Sequence, residues 1–220
     1  MESIDSYIEN DVVEGVNDPP AMMSDFHLIN AKAKPNPVGV METRRRFISN
    51  LRKQNRVFET LKTPSNSRFL VISILSHCNL ITIVDLASAY FCLLIRECKR
   101  RYFGLALPSR IGGPLHYRMK RLPMGYKNSS CHLAAIVHRL LTGKLNKGIE
   151  AHVYVDDLII VSSTTKMDPL DYLDGVERIL ETLDKSGFKL SPTKCVFIAK
   201  SAEFLGNLHC FDEKDKMVVR

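Results

Sequence analysis

A chain of 220 residues with 45% hydrophobic content has room for one sizeable domain, or for two small lobes sharing a core. Its 31 Lys and Arg against 24 Asp and Glu leave a net charge of +7, a balance suited to a polyanionic partner. No run of about 18 apolar residues and no cleavable signal is read, and the six cysteines (Cys78, Cys92, Cys98, Cys131, Cys195, Cys210) form no C-x-x-C pair, so a membrane span, secretion and a disulfide scaffold are set aside for an intracellular, cytoplasmic protein with reduced cysteines.

Residues 1–24 are acidic and irregular, and Asp18-Pro19-Pro20 breaks any helix or strand, so this stretch reads as a loose lead-in. A basic zone follows. Lys32 and Lys34 precede Pro35 and Pro37, Val38-Gly39-Val40-Met41 makes a short apolar strand, and Arg44-Arg45-Arg46 leads into the alternating Phe47-Ile48-Ser49-Asn50-Leu51-Arg52. Such a run is either a solvated face beside a hairpin or a cationic surface for phosphate oxygens, which guanidinium fits well. Phe69-Leu70-Val71-Ile72-Ser73-Ile74-Leu75 reads equally as a buried strand or a buried helix. Leu80-Ile81-Thr82-Ile83-Val84 is a core strand that ends in Asp85, with Leu86 and the small Ala87-Ser88-Ala89 before Tyr90. An acid at the exit of an apolar strand is held rigidly, while the loop beyond it lets a ligand approach.

A strand pair is expected around residues 102–107 and 116–119, then a turn through Leu122-Pro123-Met124-Gly125 and a helix capped by Ser129 or Ser130. Leu133, Ile136, Val137, Leu140 and Leu141 form that helix's apolar stripe, and Gly143 stops it. In His152-Val153-Tyr154-Val155-Asp156-Asp157-Leu158-Ile159-Ile160-Val161, two acids interrupt strand formers, which predicts a tight hairpin with Asp156 and Asp157 at its turn. This is either an ordinary solvent-exposed tip or a carboxylate pair awaiting a cation. A second helix begins at Asp168-Pro169, with a stripe of Leu173, Val176, Ile179, Leu180 and Leu183, and closes at Gly187. Strands follow at residues 188–190, 195–199 and 203–206. The order predicts an α+β fold, two helices against an antiparallel sheet. In it Asp85 can lie beside Asp156 and Asp157, the three carboxylates that two hard divalent ions need.

In this order the motifs resemble the reverse transcriptase domain of LTR retroelements, meaning retroviruses (foamy viruses included) and gypsy-type retrotransposons, over residues 36–206. Arg46, Asn50-Leu51-Arg52 and Asn55 are spaced as in the family's fingers strand, and Val84-Asp85-Leu86-Ala87-Ser88-Ala89-Tyr90 is similar to its first catalytic motif. Leu122-Pro123-Met124-Gly125 with Ser129 resembles the nucleotide pocket, and Tyr154-Val155-Asp156-Asp157 the second catalytic motif. Gly187, Pro192-Thr193-Lys194-Cys195 and Phe204-Leu205-Gly206 are similar to the motifs that close the palm.

The resemblance implies a right-hand polymerase: a palm, built as a ferredoxin-like antiparallel sheet with two packed helices, plus a small fingers subdomain. It divides the chain into a lead-in (1–24), a fingers-like segment (25–80), a palm (81–210, with fingers elements interleaved around 100–120) and a tail (211–220) before any thumb. Asp85 and Asp156 would bridge two Mg²⁺ ions, for which Mn²⁺ substitutes, with Asp157 as the third carboxylate and the Leu86 carbonyl as a further ligand. Tyr90 would sit under the sugar and exclude a ribose 2′-hydroxyl, with Met124 and Gly125 lining the nucleotide pocket and Arg46 on the triphosphate. Leu205 and Gly206 would grip the primer end, Arg44 and Arg45 the primer–template, and Lys194 is a candidate general acid. The implied partners are an RNA or DNA template with primer, deoxynucleoside triphosphates and the remainder of a Pol-type polyprotein, with no membrane.

Met124 stands where the family has Gln or Phe, Asn50 where it has Asp, and no residue maps onto the triphosphate-binding Lys. With little sequence after Gly206, no thumb, ribonuclease H, protease or integrase is expected. Two functions therefore compete: an RNA-directed DNA polymerase fragment, favoured by the intact carboxylates, and a catalytically inactive nucleic-acid-binding remnant, favoured by the altered pocket. A metal-dependent nuclease or cyclase is disfavoured, since neither needs the pocket at residues 122–129.

Overall fold

A computed structural model of the chain describes residues 4–30, 34–35, 41–42, 45–62, 78–107, 116–154, 157–163, 167–199, 201–204, 207–211 and 217–219. Its first elements are α1 (Ile4–Glu9), β1 (Val13–Val16), β2 (Met23–Ser24), β3 (Phe26–Asn30), β4 (Lys34–Pro35), β5 (Met41–Glu42), β6 (Arg45–Ser49) and α2 (Arg52–Val57). Then come β7 (Ile81–Ala87), α3 (Glu97–Arg100), β8 (Gly104–Leu105), β9 (His116–Met119), α4 (Ser129–Leu141), β10 (Ile149–Tyr154) and β11 (Asp157–Ser162). The last are α5 (Pro169–Lys185), β12 (Lys189–Leu190), β13 (Val196–Ala199), β14 (Ser201–Phe204), β15 (Asn207–Phe211) and β16 (Met217–Val219). Helices mixed with mainly antiparallel sheet agree with the α+β expectation. The chain divides into two units, Met1–Thr60 with Tyr90–Ser129 and Leu61–Ala89 with Ser130–Arg220.

In the first unit the strands run β1-β9-β8-β2, with β2 and β8 parallel. The residues read as an irregular lead-in are not irregular. Val13 lies opposite Met119 and Gly15 opposite Tyr117, and Val12 and Val13 are buried in a core with Leu51, Ile95, Phe103, Leu105, Tyr117 and Met119. Two of the acids in this stretch, Asp11 and Glu14, are counter-charges. Asp11 takes Lys120 at 2.5 Å and Arg121 at 3.1 Å, and Glu14 takes Arg118 at 2.6 Å and Arg100 at 3.1 Å. Regular structure does lapse at Asp18-Pro19-Pro20, as those residues demand. The ring of Phe58 stacks on Phe103 and meets Tyr102 and Tyr126 edge-on, which ties the end of α2 to this core. The alternation expected through Arg52 stops early: β6 ends at Ser49, and Arg52 opens α2 instead. Of the expected strand at residues 38–41 only Met41, in β5, is described; residues 69–75 lie outside the described residues.

The second unit is built on β7. Its neighbours are β11, β12 and β13, with β10 beyond β11, and every one of these pairings is antiparallel. Residues 81–84 are all buried, and the strand runs two residues past its expected end at Asp85, because Ala87 pairs with Lys189 and Leu86 with Leu190. At its start the buried Ser162 hydroxyl accepts from the Asn79 and Leu80 N–H groups and donates to the Asn79 side chain. Helix α4 buries Leu133, Val137 and Leu141, whereas Ile136 of the expected stripe is exposed. Helix α5 starts as predicted, the Asp168 carboxylate accepting from the Leu170 N–H at 2.8 Å with Pro169 in the first turn. Its buried face is Tyr172, Gly175, Val176, Ile179 and Leu183, and Leu173 is exposed. The stripe is rotated because the Tyr172 hydroxyl donates to the Ile160 carbonyl at 2.8 Å, and because Gly175 leaves room for the Ile149 side chain. Burial raises the pKa of Tyr172 and pushes that of Cys78 up to about 12, so both remain neutral packing groups. Cys78, Cys92, Cys98, Cys131 and Cys195 are not in disulfides, although Cys98 is exposed rather than in the core. No helix among the described residues is long and apolar enough to cross a membrane.

Candidate active site

The sheet register brings two of the three candidate carboxylates together. Asp157 is the first residue of β11, opposite Tyr154 on one side and opposite Asp85 of β7 on the other. Directly opposed residues of an antiparallel pair project from the same face with Cβ atoms about 4.5–5.5 Å apart, so Asp85 and Asp157 share one rung and one face. The two arms of the expected hairpin pair antiparallel, with one correction: Asp157 is in the strand rather than at the turn. Asp156, one of the two intended bridging ligands, lies outside the described residues, as do Arg44, Leu205 and Gly206.

A third element closes on Asp85 from the other side. The Ser191 N–H donates to the Asp85 carbonyl at 2.9 Å, a single 3₁₀ turn follows at Pro192–Lys194, and the Lys194 ammonium reaches Asp85 Oδ2 at 2.5 Å. One carboxylate thus already faces a cation while the other sits across the rung. Two like charges on adjacent strands repel unless a positive charge lies between or beside them. Carboxylate oxygens are hard donors, the ligand type that Mg²⁺ and Mn²⁺ prefer. The residues present therefore fit a divalent, oxygen-seeking ion. Among the described residues no group of three His, Cys, Asp or Glu converges. Leu86 is buried in the same strand, at the rung where it pairs with Leu190.

The remaining candidates belong to the other unit. Tyr90 is half-buried in the 3₁₀ turn Ala89–Cys92, and its carbonyl accepts from the Leu93 N–H. Arg45 and Arg46 are in β6, at the positions opposite Asn30 and Ile29. Met124 is half-buried and Gly125 has φ +93°, with the Ser49 carbonyl 3.2 Å from where a Cβ would stand. A side chain at this position would be strained and crowded, which accounts for the glycine. Sequence reasoning gave Asn55 no chemical role, yet its carboxamide donates to the Gly125 carbonyl and accepts from the Lys127 N–H, both at 2.9 Å. Asn55 therefore holds the Met124-Gly125 turn in place. The only signal in the sequence was its offset from Leu51 and Arg52.

Comparison with known proteins decides the family. The sequence profile described as "Reverse transcriptase (RNA-dependent DNA polymerase)" matches residues 21–208. The chain belongs to the reverse transcriptase family. The resemblance read from the motif order is borne out. The Pol polyprotein of the Drosophila melanogaster transposon 297 is 26% identical over 175 residues, covering 80% of this chain and 15% of the relative. The Gag-Pol polyprotein of Koala retrovirus is 29% identical over 168 residues, covering 74% and 10%. The chain therefore spans between a tenth and a sixth of these curated relatives. Among solved structures, the foamy viral protease-reverse transcriptase in complex with double-stranded DNA matches with a TM-score of 0.70 at 21% identity, over 94% of this chain and 32% of that one. The same viral protein in complex with an RNA/DNA hybrid matches with a TM-score of 0.68 at 20% identity, over 94% and 25%. At that identity the likeness speaks for fold, and the fold of this reverse transcriptase chain is that of the right-hand polymerases.

Proposed function

We propose that this chain performs RNA-directed DNA synthesis as a segment of an intracellular Pol-type polyprotein, transferring a deoxynucleotide to a primer 3′-hydroxyl on an RNA or DNA template. The observation that supports it is the shared rung of Asp85 and Asp157, with Asp156 adjoining it in sequence. In this reading the sheet around β7, with α4 and α5, is the palm, and β3, β6 and α2 belong to the fingers.

Asp85 and Asp156, with Asp157 and the Leu86 carbonyl, hold two Mg²⁺ ions. Bound there, such ions acidify a hydroxyl and stabilise charge on a departing pyrophosphate. The protein's own part is placement. The sheet fixes Asp85 and Asp157 on rigid strands, where catalytic geometry is best kept. Arg46 takes the triphosphate as a planar donor, Met124 and Gly125 line the nucleotide pocket, and Tyr90 bars the 2′-hydroxyl that marks a ribonucleotide. Arg44 and Arg45 hold primer–template phosphates, Leu205 and Gly206 the primer end, and Lys194 delivers a proton to the leaving group.

Primer extension on an RNA template with Mg²⁺ or Mn²⁺ and labelled deoxynucleotide tests this reading. Incorporation that disappears with Asp85→Asn supports it. Primer–template binding without incorporation would instead favour the inactive remnant, the reading that the methionine at position 124 encourages.

A further inference from the structure

The backbone places Lys194 before its side chain is considered. Leu190 pairs with Leu86, the Ser191 N–H donates to the Asp85 carbonyl, and the Lys194 N–H folds back onto the Ser191 carbonyl at 2.9 Å. The Cys195 thiol reaches the same carbonyl at 3.3 Å. This turn is secured without any help from the Lys194 ammonium. The ion pair with Asp85 is therefore an addition to the fold, and it is lopsided: the Asp85 side chain is 18% exposed and that of Lys194 48%. Such a pair opens from its lysine end. The carboxylate is fixed in a central strand, while the ammonium rides on a flexible four-carbon stem half in water.

Its position matters because Asp157 faces Asp85 across the rung. In the ion-free chain the two like charges repel, and Lys194 offsets the charge on Asp85. A divalent cation arriving at Asp85 needs the same carboxylate oxygens, and the two positive charges repel each other. We infer that Lys194 is a displaceable counter-ion: it occupies Asp85 Oδ2 while the site is free of metal and gives that oxygen up when a divalent ion binds. The inference rests on the proposed assignment of Asp85 and Asp157 as metal ligands, and it makes Lys194 a positioning residue in the ion-free chain. It also gives the leaving-group role proposed above a starting point, since displacement frees the ammonium from Asp85.

The size of the effect follows from what exposed ion pairs are worth. A pair contributing about 0.2–1 kcal/mol weakens a competitor by about 1.4-fold to fivefold. The test titrates the full 220-residue chain with Mn²⁺, following free and bound ion by electron paramagnetic resonance, for wild type, Lys194→Gln, Lys194→Arg and Asp85→Asn. Lys194→Gln should tighten Mn²⁺ about 1.4-fold to fivefold, Lys194→Arg should stay near wild type, and Asp85→Asn should lose the site. A second measurement needs no variant to fold differently. After reductive ¹³C-methylation, the Lys194 signal of the wild-type chain, assigned by its loss in Lys194→Arg, should move saturably as Mg²⁺ is added. Equal Mn²⁺ affinity in wild type and Lys194→Gln, with a stationary Lys194 signal, overturns the inference and leaves Asp85 as a ligand. If no variant shows Mn²⁺ binding that depends on Asp85, the metal assignment falls and the inference with it.

Discussion

At the scale of single residues, the site turns on which carboxylate stands where. Asp85 was legible as an acid at the exit of an apolar run, because a strand of Ile, Thr and Val has a strong local signal. The place of Asp157 was not. The sequence shows two adjacent acids, and only cross-strand register puts Asp157 in β11 opposite Asp85. Register is a property of two strands together, invisible in either alone. Asn55 was missed for a related reason: its two hydrogen bonds run to residues 70 and 72 positions away. For the proposed activity, a carboxylate that holds a metal cannot be replaced by an amide without losing the charge that offsets the dication. Removing groups that only support metal ligands commonly costs about 10- to 100-fold, so loss of a ligand itself should cost more than about 100-fold. Asp85→Asn and Asp156→Asn are each expected to reduce single-nucleotide incorporation by that much while leaving the thermal unfolding midpoint near wild type. Incorporation within about tenfold of wild type in either variant would remove that residue from the metal site.

At the scale of elements, caps and periodicity were the readable part. Asp168-Pro169 and Gly187 bound α5 as expected, Gly187 with φ +83°, and the hairpin arms are strands. Val176, Ile179 and Leu183 of the expected face are buried, and only its start was misread, because a hydrophobic stripe ranks Leu173 above Tyr172, whereas burial of tyrosine depends on a partner for its hydroxyl. Here that partner is the Ile160 carbonyl, on the strand that begins at Asp157. Tyr172→Phe keeps the ring and removes its hydrogen bond to the Ile160 carbonyl, so it should lower stability by about 0.5–1.5 kcal/mol in urea unfolding. An unchanged midpoint would mean that the hydroxyl adds nothing to holding α5 on the sheet. The N-terminal segment was misread on similar grounds. Its charges looked solvated, but strand β1 is pinned to β9 by pairing, by Val13 and by the acids on either side. The hydrogen bond from Lys120 holds the Asp11 carboxyl below its usual value of 3.8. A carboxyl with a depressed folded-state pKa adds stability that is present above the unfolded value and fades as pH falls through the folded one. Asp11→Asn should therefore lose that increment at neutral pH and converge with wild type well below pH 3.8, measured as urea midpoints across the acid range. Curves that stay parallel to the lowest pH would show the pair to be energetically silent.

At the scale of the whole molecule, net charge is the first thing a reader of this sequence notices and the least direct guide to its partner. The formal +7 sums cations in very different situations. Arg100, Arg118, Lys120 and Arg121 are committed to Glu14 and Asp11 within one unit, and their side chains are mostly shielded. Lys194 is engaged by Asp85. Committed charges neutralise no phosphate. Only cations that meet phosphate oxygens release counterions, and each such contact adds about 0.9 to the slope of log affinity against log salt on duplex DNA. Arg44 and Arg45, proposed to hold primer–template, should therefore account for about 1.8 of that slope between them. Replacing both with alanine is expected to weaken binding alike for every template sequence and to flatten the slope by about that amount, read from fluorescence anisotropy of a labelled primer–template between about 50 and 200 mM salt. Arg118→Ala is the contrast, the loss of one formal charge from a cation already taken by Glu14. It should leave the slope unchanged and act on stability instead, by leaving Glu14 of β1 with Arg100 as its remaining partner. If the two substitutions flatten the salt dependence in proportion to charge removed, binding follows net charge alone, and Arg44 and Arg45 have no special place in it.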